Sequence, residues 1–373
     1  MKGMTLNTSE QMLFALLRAS LHQKEAEQAY FQQVSQEDWK LCYRLAARQG
    51  VMALAWDGVM TLPADLQPPR AQKLTWCMAV QDYEAKYARY CRTIQELSTF
   101  YAEHGIVTVQ MKGVGLSSYY PVPTHREGGD IDIFTFSADA SKMTDAEANR
   151  LADQLMIQQG IEVEQHSYKH SNFYYKGIPI ENHKLFLNVE DYRIAAQVNA
   201  LLEQCLQPQT TVLLNGECNI LIPSPAFNTI FLAFHASQHY GSGIALHHLC
   251  DWAMLIKRYG LQLPKELTDK RFLEAIVAFT QLCKRYLGTE VETREDYGMA
   301  DEILEEILHS RFPHKEGVPV KGKINILLYK TRRFLHRSRI SNRILYMPFW
   351  KRVWLSVVGH VRRPETIFET EFK

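Results

Sequence analysis

Strand-like sequence patterns are confined to one stretch of this chain of 373 residues. No strand-like alternation of apolar and polar residues precedes residue 106, whereas short β-branched runs recur from residue 106 to residue 222. Helical patterns occupy the residues on both sides of this stretch. The sequence therefore predicts an α+β fold, in which a mixed-sheet core is flanked by N-terminal and C-terminal helical regions.

Glycine and proline residues indicate where these regions meet. A long amphipathic segment ends at Gly105, and Pro223-Ser224-Pro225 follows the last strand pattern. After residue 310, basic residues far outnumber acidic ones. We expect four segments: an N-terminal helical region at 1–105, an α/β core at 106–222, a C-terminal helical domain at 223–310 and a basic amphipathic tail at 311–373.

Local signals predict individual elements within these segments. Capping residues near Thr8 and at Ser35 begin two helices, and Asn215-Gly216 is a strong hairpin signal. Strands are expected at 106–111, 130–136, 161–175, 178–185, 211–214 and 218–222, and further helices at 71–104, 144–159, 225–240, 244–259, 266–286 and 300–310.

The composition is that of an ordinary globular protein, with 46% hydrophobic and 22% charged residues. No run approaches the roughly 20 apolar residues of a membrane-spanning helix, and we expect no secretion signal. The seven cysteines are scattered and include no C-x-x-C pair, which argues against a disulfide framework and a zinc knuckle. We therefore expect a reducing compartment, the cytoplasm.

The basic tail combines cationic and aromatic residues. Lys and Arg alternate with apolar residues between positions 327 and 340, and Pro348-Phe349-Trp350-Lys351-Arg352-Val353-Trp354 follows. Such a segment could bind RNA or an anionic membrane surface. Because apolar residues are abundant, we favour an amphipathic helix that packs on the rest of the protein, with membrane contact as the alternative.

Two aspartates separated by one residue are the central functional feature. In a strand, Asp130 and Asp132 project from one face while Ile131 and Ile133 project from the other. Carboxylates this close repel each other, and a core strand tolerates them when a divalent cation lies between them. Mg²⁺ suits such a site, with Mn²⁺ as the alternative. Alone, the pattern also fits a solvated strand face that carries two acids by chance.

A glycine-containing turn precedes the aspartates. Lys112, Gly113 and Gly115 lie at a predicted strand-to-helix junction, where backbone N–H groups and a cation can bind a phosphate. Arg126 and Gly129 lie in the loop just before the aspartates. These five residues are candidate nucleotide-binding residues, although an ordinary tight turn explains the glycines equally well.

A third acid is expected to complete the metal site. Glu181 is the best candidate, because it interrupts an apolar strand of the same sheet, and its neighbour His183 is a candidate cleft residue. Glu162 and Glu164, on the preceding strand, are the competitors.

Further histidines follow in the helical region. His235 and His239 are four residues apart and share a helix face, which permits a zinc site. No acidic partner at metalloprotease spacing accompanies them, so we favour histidines that line the cleft or pack in the core. Asp251, with His247 or His248, either lines the same cleft or caps and bridges helices.

The motifs resemble those of a known family, the uncharacterised nucleotidyltransferase family of the polymerase-β-like nucleotidyltransferase superfamily. The resemblance covers about residues 106–258. The residues that carry it are, in chain order, Met111-Lys112-Gly113, Tyr119-Tyr120-Pro121, Arg126, Gly129-Asp130-Ile131-Asp132, Ile180-Glu181-Asn182-His183, Phe231-Leu232-Ala233-Phe234-His235, His239 and Gly243-Ile244-Ala245-Leu246-His247-His248-Leu249-Cys250-Asp251-Trp252.

The resemblance implies a polymerase-β-like mixed sheet, metal binding by Asp130, Asp132 and Glu181, and a phosphate loop at Gly113. The chain departs from the family pattern in two respects. The arginine that the family often shows near His247 is missing. The spacing from Gly113 to Asp130 is longer than in the best-known superfamily members, which leaves residues 123–127 without a role.

We therefore expect a metal-dependent nucleotidyltransferase. It would move a nucleoside monophosphate group from an NTP to an acceptor hydroxyl or phosphate and release pyrophosphate, with two divalent ions at the carboxylates. The acceptor is a small molecule, RNA or protein that the sequence does not identify. One alternative is a catalytically silent protein of this fold with a binding or regulatory role. Another is a D-x-D glycosyltransferase, which needs an α/β nucleotide-binding half before the motif.

Overall fold

The computed structural model describes residues 4–165, 167–207, 209–214, 216, 218–293, 297–310, 321–362 and 364–368. Within these ranges the chain forms thirteen α-helices and one seven-stranded mixed sheet. The helices precede and follow the sheet in the chain, so the expected α+β class is confirmed.

Four helices form the N-terminal region: α1 (Thr8–His22), α2 (Gln36–Arg48), α3 (Met52–Met60) and α4 (Arg70–Ala102). Capping boxes begin the first two, with Asn7 and Glu10 at α1 and Ser35 and Asp38 at α2. The cap of α1 therefore lies one residue before the predicted Thr8. Residues 4–105 contain no strand, so the early α/β half that a D-x-D glycosyltransferase requires is absent from them.

The sheet has the strand order β3-β4-β5-β2-β1-β7-β6. The neighbours β2 and β5 are parallel, and so are β1 and β7, whereas the other neighbouring pairs are antiparallel. A hairpin joins β6 and β7 as predicted, although its Asn215 lies outside the described residues. The strands are β1 (Ile106–Gln110), β2 (Ile131–Ser137), β3 (Val163–Glu164), β4 (His170–Tyr175), β5 (Ile178–His183), β6 (Thr210–Leu214) and β7 (Cys218–Ile222).

The remaining helices surround this sheet. The helix α4 packs against β1 and β7, and α6 packs against β2. The helix α7 is missing from the sequence prediction. The bounds are α5 (Val114–Ser117), α6 (Asp145–Gln158), α7 (Ala195–Cys205), α8 (Pro225–His239), α9 (Leu246–Tyr259), α10 (Lys270–Leu287), α11 (Tyr297–His309), α12 (Lys323–Ser341) and α13 (Phe349–Arg362).

The register between β2 and β5 positions the acids. Ile131 lies opposite Ile180, and Asp132 lies opposite Glu181. Ile131, Ile133 and Ile180 are buried. Because side chains alternate along a strand, the buried isoleucines fix one face and leave the acids on the other.

One continuous cluster of buried side chains runs from Met12 to Leu345 and includes residues on both sides of each predicted segment boundary. In the tail, Ile326 of α12 and the following Ile344 and Leu345 are buried, in line with packing on the body. The helix α13 buries no residue, and Trp350 is 78% exposed. The tail prediction also covers residues 311–320, 363 and 369–373, which lie outside the described residues. No described helix combines the length and hydropathy that crossing a bilayer demands.

The N-terminal helices hold the loop that precedes β2. In this loop, His125 lies between two acids, with Nδ1 2.8 Å from Oδ1 of Asp57 on α3 and Nε2 3.1 Å from Oε1 of Glu84 on α4. The backbone N–H of Met52 donates to Glu127 at 2.7 Å. Residues 123–127, for which the sequence suggests no role, therefore attach the loop to α3 and α4.

The last two residues before the aspartates are held through their carbonyl groups. On α4, Lys86 donates to the carbonyl of Gly128 at 2.7 Å, and the Tyr90 hydroxyl donates to that of Gly129 at 2.9 Å. A long helix from the N-terminal region thus fixes the backbone from which Asp130 projects.

Replacing Gly58 should test the close packing of α1 on α3. A Cβ atom at Gly58 would lie 2.3 Å from the carbonyl oxygen of Leu16, so Gly58→Ala forces the helices apart. We expect a loss of about 1 to 3 kcal/mol of stability, measured by urea unfolding. Gly359→Ala is the matched control, because Gly359 lies in α13 with no atom within 4 Å of the added Cβ. An equal loss in both variants would contradict the packing argument.

Replacing His125 should reveal a pH-dependent contribution to stability. Burial alone would lower the pKa of His125, but hydrogen bonds and charges from Asp57 and Glu84 outweigh it and raise the pKa. The contribution is full below the unfolded pKa of about 6.5 and is lost as pH rises through the raised folded value. His125→Gln should cost about 1 kcal/mol at about pH 6 and less at about pH 9, measured by urea unfolding. The same cost at both pH values would refute this assignment.

Candidate functional site

Three carboxylates meet at one edge of the β2–β5 pair. Asp130 directly precedes β2, Asp132 lies within it, and Glu181 lies opposite Asp132 on β5. One oxygen of each can be chosen so that all three lie within 4.8 Å of one another. The side chain of Asp132 is fully buried, whereas those of Asp130 and Glu181 are 35% and 25% exposed. The predicted acids thus form one cluster that is open on one side.

Lys112 brings a positive charge to this cluster. Its Nζ lies 3.1 Å from Oδ1 of Asp132 and 3.7 Å from Oδ2 of Asp130. Burial alone would lower the pKa of Lys112, but the charges of the three carboxylates outweigh burial and raise the pKa. Lys112 is therefore a fixed cation at neutral pH.

The pKa values of the carboxylates shift in different directions. Burial raises the pKa of Asp130, and the neighbouring charge of Asp132 raises it further. Burial also disfavours the ionised form of Asp132, but Lys112 and His183 outweigh burial and lower its pKa. Burial is similarly outweighed at Glu181, chiefly by the hydrogen bond from His183, so the pKa of Glu181 is lowered. Asp132 and Glu181, which lie within strands, are therefore ionised more readily than Asp130.

Two histidines adjoin the carboxylates. Nε2 of His183 lies 3.1 Å from Asp132 and 3.3 Å from Glu181, and Nδ1 of His170 lies 3.5 Å from Glu181. The sequence prediction does not include His170, although its position in the sheet follows from the turn at Lys176-Gly177. Counting back from that turn along the antiparallel pair places His170 opposite His183.

The donor set fits a hard divalent cation. Three carboxylates and one ammonium leave two net negative charges in a largely buried site. In addition, Oδ2 of Asp132 is buried without a hydrogen-bond partner, a state that a bound cation would relieve. Oxygen donors of this kind suit Mg²⁺ or Mn²⁺.

A buried polar network holds β5 behind the site. The side chain of Asn182 donates to Asp153 at 2.9 Å, and Ser171 donates to Asp153 at 2.7 Å. Asn149 donates to the Asn182 side chain at 3.0 Å and to the carbonyl of His183 at 2.8 Å. Asn149 and Asp153 lie on α6, so these contacts fix the strand that carries Glu181 and His183. The sequence gives no local signal for them, because each joins residues distant in the chain.

The glycine turn lies against the carboxylate strand. Gly113 has φ of 62°, and an added Cβ would lie 3.3 Å from the carbonyl oxygen of Asp130. At Gly115 an added Cβ would lie 2.8 Å from the carbonyl oxygen of Gln110. Glycine at both positions therefore lets the turn approach β1 and the start of β2.

A cavity of about 440 Å³ lies beside the carboxylates. One part of its wall carries predicted nucleotide-binding residues, and another carries histidines of the C-terminal helices. The first group comprises Lys112, Gly113, Arg126, Gly129 and Asp130, and the second comprises His235, His239, His247 and His248.

Arg126 and Asp251 form a bidentate ion pair. Nη2 and Nε of Arg126 lie 2.6 and 3.1 Å from the two oxygens of Asp251, and Nη1 donates to the carbonyl of Glu127. The Tyr120 hydroxyl also donates to Asp251 at 2.6 Å. Asp251 is buried behind the wall, so it attaches α9 to the loop before β2. The sequence left open whether Asp251 lines the cleft or caps and bridges helices, and here it bridges a helix and a loop.

The histidines of α8 and α9 lie close together. One ring nitrogen from each of His235, His239 and His248 can be chosen so that all three lie within 4.8 Å of one another. Burial lowers the pKa values of His235 and His248 well below the ordinary value. The cavity therefore joins an acidic cluster and a cluster of histidines.

Comparisons with known proteins place the chain in a family. A solved structure that matches is that of an antigenic nucleotidyltransferase-like protein from Paracoccidioides brasiliensis, with 18% identity and a TM-score of 0.35, over 54% of this chain and 93% of that one. No significant match to a curated protein was found. The sequence model of a family described as uncharacterised nucleotidyltransferase matches residues 35–288, more than half of the chain. The chain therefore belongs to the uncharacterised nucleotidyltransferase family.

Proposed function

We propose that this protein transfers a nucleoside monophosphate group from an NTP to an acceptor hydroxyl or phosphate and releases pyrophosphate. The observation that carries the proposal is the cluster of Asp130, Asp132 and Glu181 beside a glycine turn and a buried lysine. Family membership supports the transferase class. In the bond change, an acceptor oxygen attacks the α-phosphorus as the bond to the pyrophosphate oxygen breaks.

We assign metal binding to Asp130, Asp132 and Glu181. When bound, Mg²⁺ or Mn²⁺ would neutralise charge on the triphosphate and favour ionisation of the acceptor hydroxyl. The unpaired Oδ2 of Asp132 and the net negative charge of the cluster support this assignment. The buried network behind β5 would keep the acids at a fixed spacing, which matters because positioning accounts for much of the catalysis of phosphoryl-type transfer.

The residues around the turn would hold the triphosphate. Lys112 supplies the cation, and the backbone at Gly113 and Gly129 lines the same cavity wall. Arg126 lines this wall too, but its ion pair with Asp251 engages its guanidinium. We therefore propose that Arg126 adds positive potential and holds the loop, while Lys112 makes the direct phosphate contact.

Glu181 is our candidate to accept the proton of the acceptor. Its carboxylate is partly exposed, and Nε2 of His183 lies 3.3 Å away, where it can take the proton on from Glu181 when this nitrogen is unprotonated. A path through metal-bound water is the alternative acceptor of the proton. The cavity continues past Asp130 toward His247, which gives an acceptor a place to bind. The acceptor class, a small molecule, RNA or protein, is to be identified by labelling. We assign the reaction to the cytoplasm, because the scattered cysteines suit a reducing compartment.

The competing proposal is a catalytically silent protein that binds a nucleotide or a partner. The complete set of three acids favours the enzyme. Calorimetry with NTP and Mg²⁺, followed by incubation with each labelled NTP and a cell extract, separates the two. Transfer of label to an extract component supports the enzyme, whereas nucleotide binding without any transfer supports the silent protein.

Removing one carboxylate charge should abolish transfer without unfolding the protein. Asp130→Asn keeps the shape of the side chain, and we expect labelling by α-labelled NTP to fall at least about 100-fold. Asp65→Asn is the matched control, because Asp65 is an exposed acid between α3 and α4 that belongs neither to the cluster nor to the cavity wall. Circular dichroism checks the fold of both variants. Labelling that survives in Asp130→Asn would remove Asp130 from the mechanism.

Replacing Lys112 should change the affinities for metal and nucleotide in opposite directions. In Lys112→Gln the cluster loses its internal cation, so Mg²⁺ alone should bind several-fold more tightly. The NTP should bind about 10-fold more weakly, because a phosphate contact is lost. Calorimetric titrations measure both, with the exposed Lys142→Gln as control. Affinities that both fall, or both stay unchanged, would contradict the assigned role of Lys112.

A further inference from the structure

The helices α8 and α9 bring three imidazoles together at the cavity. His235 and His239 lie one turn apart on α8, and His248 comes from the first turn of α9. The ring centroids are 4.6 Å apart for His235 and His239, 4.9 Å for His239 and His248, and 5.4 Å for His235 and His248. Three rings from two helices therefore surround a common point.

The separation of the ring nitrogens suits a transition-metal ion. The chosen nitrogens all lie within 4.8 Å of one another. In a tetrahedral zinc site, nitrogens at the usual bond length are about 3.3 Å apart, so modest side-chain rotations suffice. The other two clusters of potential metal ligands among the described residues both contain Glu181, whereas this cluster consists of histidine alone. Imidazole donors favour Zn²⁺ and similar ions over Mg²⁺.

The backbone orients one of these rings. Nδ1 of His248 lies 3.1 Å from the amide nitrogen and 3.3 Å from the carbonyl oxygen of Ala245. The amide N–H donates to Nδ1 in one tautomer, and in the other Nδ1 donates to the carbonyl. In the second tautomer Nε2 is unprotonated and is the ligand atom. A backbone carbonyl at the second nitrogen is the usual partner of a metal-bound imidazole, because it fixes the tautomer and the ring plane.

We propose that His235, His239 and His248 form a binding site for Zn²⁺ or a similar divalent transition metal, separate from the carboxylate cluster. All three residues line the cavity, so a fourth coordination position is open to it. A site with three protein ligands and an open position binds water or a polar group of a substrate. The fourth ligand would be an oxygen, nitrogen or sulfur atom of a molecule that binds in the cavity next to α8 and α9. The proposal does not depend on the transfer reaction.

The test uses the whole chain of 373 residues after treatment with EDTA, with Co²⁺ alone as the probe. We expect one Co²⁺ per chain to give the visible absorption bands of four-coordinate cobalt, and one Zn²⁺ to displace it. His235→Gln and His248→Gln should each weaken binding at least about 100-fold. His104→Gln is the matched control, because His104 is exposed just after the end of α4 and its Nδ1 lies 2.9 Å from the Phe100 carbonyl oxygen. The double variant Asp130→Asn/Glu181→Gln should keep the bands.

Two results would overturn the proposal. One is bands that persist in His235→Gln, and the other is bands that disappear in the double carboxylate variant. If the histidine variants fail to fold by circular dichroism, X-ray absorption of the wild-type protein loaded with one Zn²⁺ decides the question. Three imidazole nitrogens at about 2.0 Å support the site, whereas a shell of oxygens alone refutes it. Because no readout is enzymatic activity, failure here leaves the proposed transfer reaction to its own tests.

Discussion

The parallel pairing of β2 with β5 places Asp132 beside Glu181. Much of the surrounding structure offsets the repulsion between their carboxylates. Three carboxylates this close repel each other, and burial strengthens the repulsion. Lys112 and His183 offset part of it within the site. Behind the strand, the Asn182 side chain donates a hydrogen bond to Asp153 of α6. This contact opposes a shift of β5 that would separate the charges. In the proposed function, this repulsion is what a bound divalent cation would relieve.

The ion pair between Arg126 and Asp251 relates the acidic cluster to the helical domain. Arg126 belongs to the loop that leads into Asp130, and Asp251 belongs to the helix that carries His248. Because the pair is bidentate and buried, breaking it would leave an uncompensated charge. The ion pair thereby links the loop that leads into Asp130 to the helix that carries His248, although the two come from different regions of the chain.

Local sequence signals predicted most of the elements, and the three acids that they singled out lie together. The isoleucines that alternate with Asp130 and Asp132 define a strand and its buried face, and an acid that interrupts an apolar strand pointed to Glu181. The helix α7 is missing from the prediction. The partners of Asn182 and the third imidazole, His248, depend on how distant helices pack against the sheet. The contact of His170 with His183, in contrast, could have been predicted by counting from the turn at Lys176-Gly177.

The loop before β2 is a further example of local structure that depends on residues distant in the chain. Its carbonyl groups at Gly128 and Gly129 are held by Lys86 and Tyr90, which lie on a helix of 33 residues, about 50 Å long, that precedes the sheet in the chain. The family match likewise begins at residue 35, ahead of that helix. The shape of the loop is thus encoded largely outside the loop. Grafting residues 106–258 onto another scaffold would transfer the acids but lose the support that aims them.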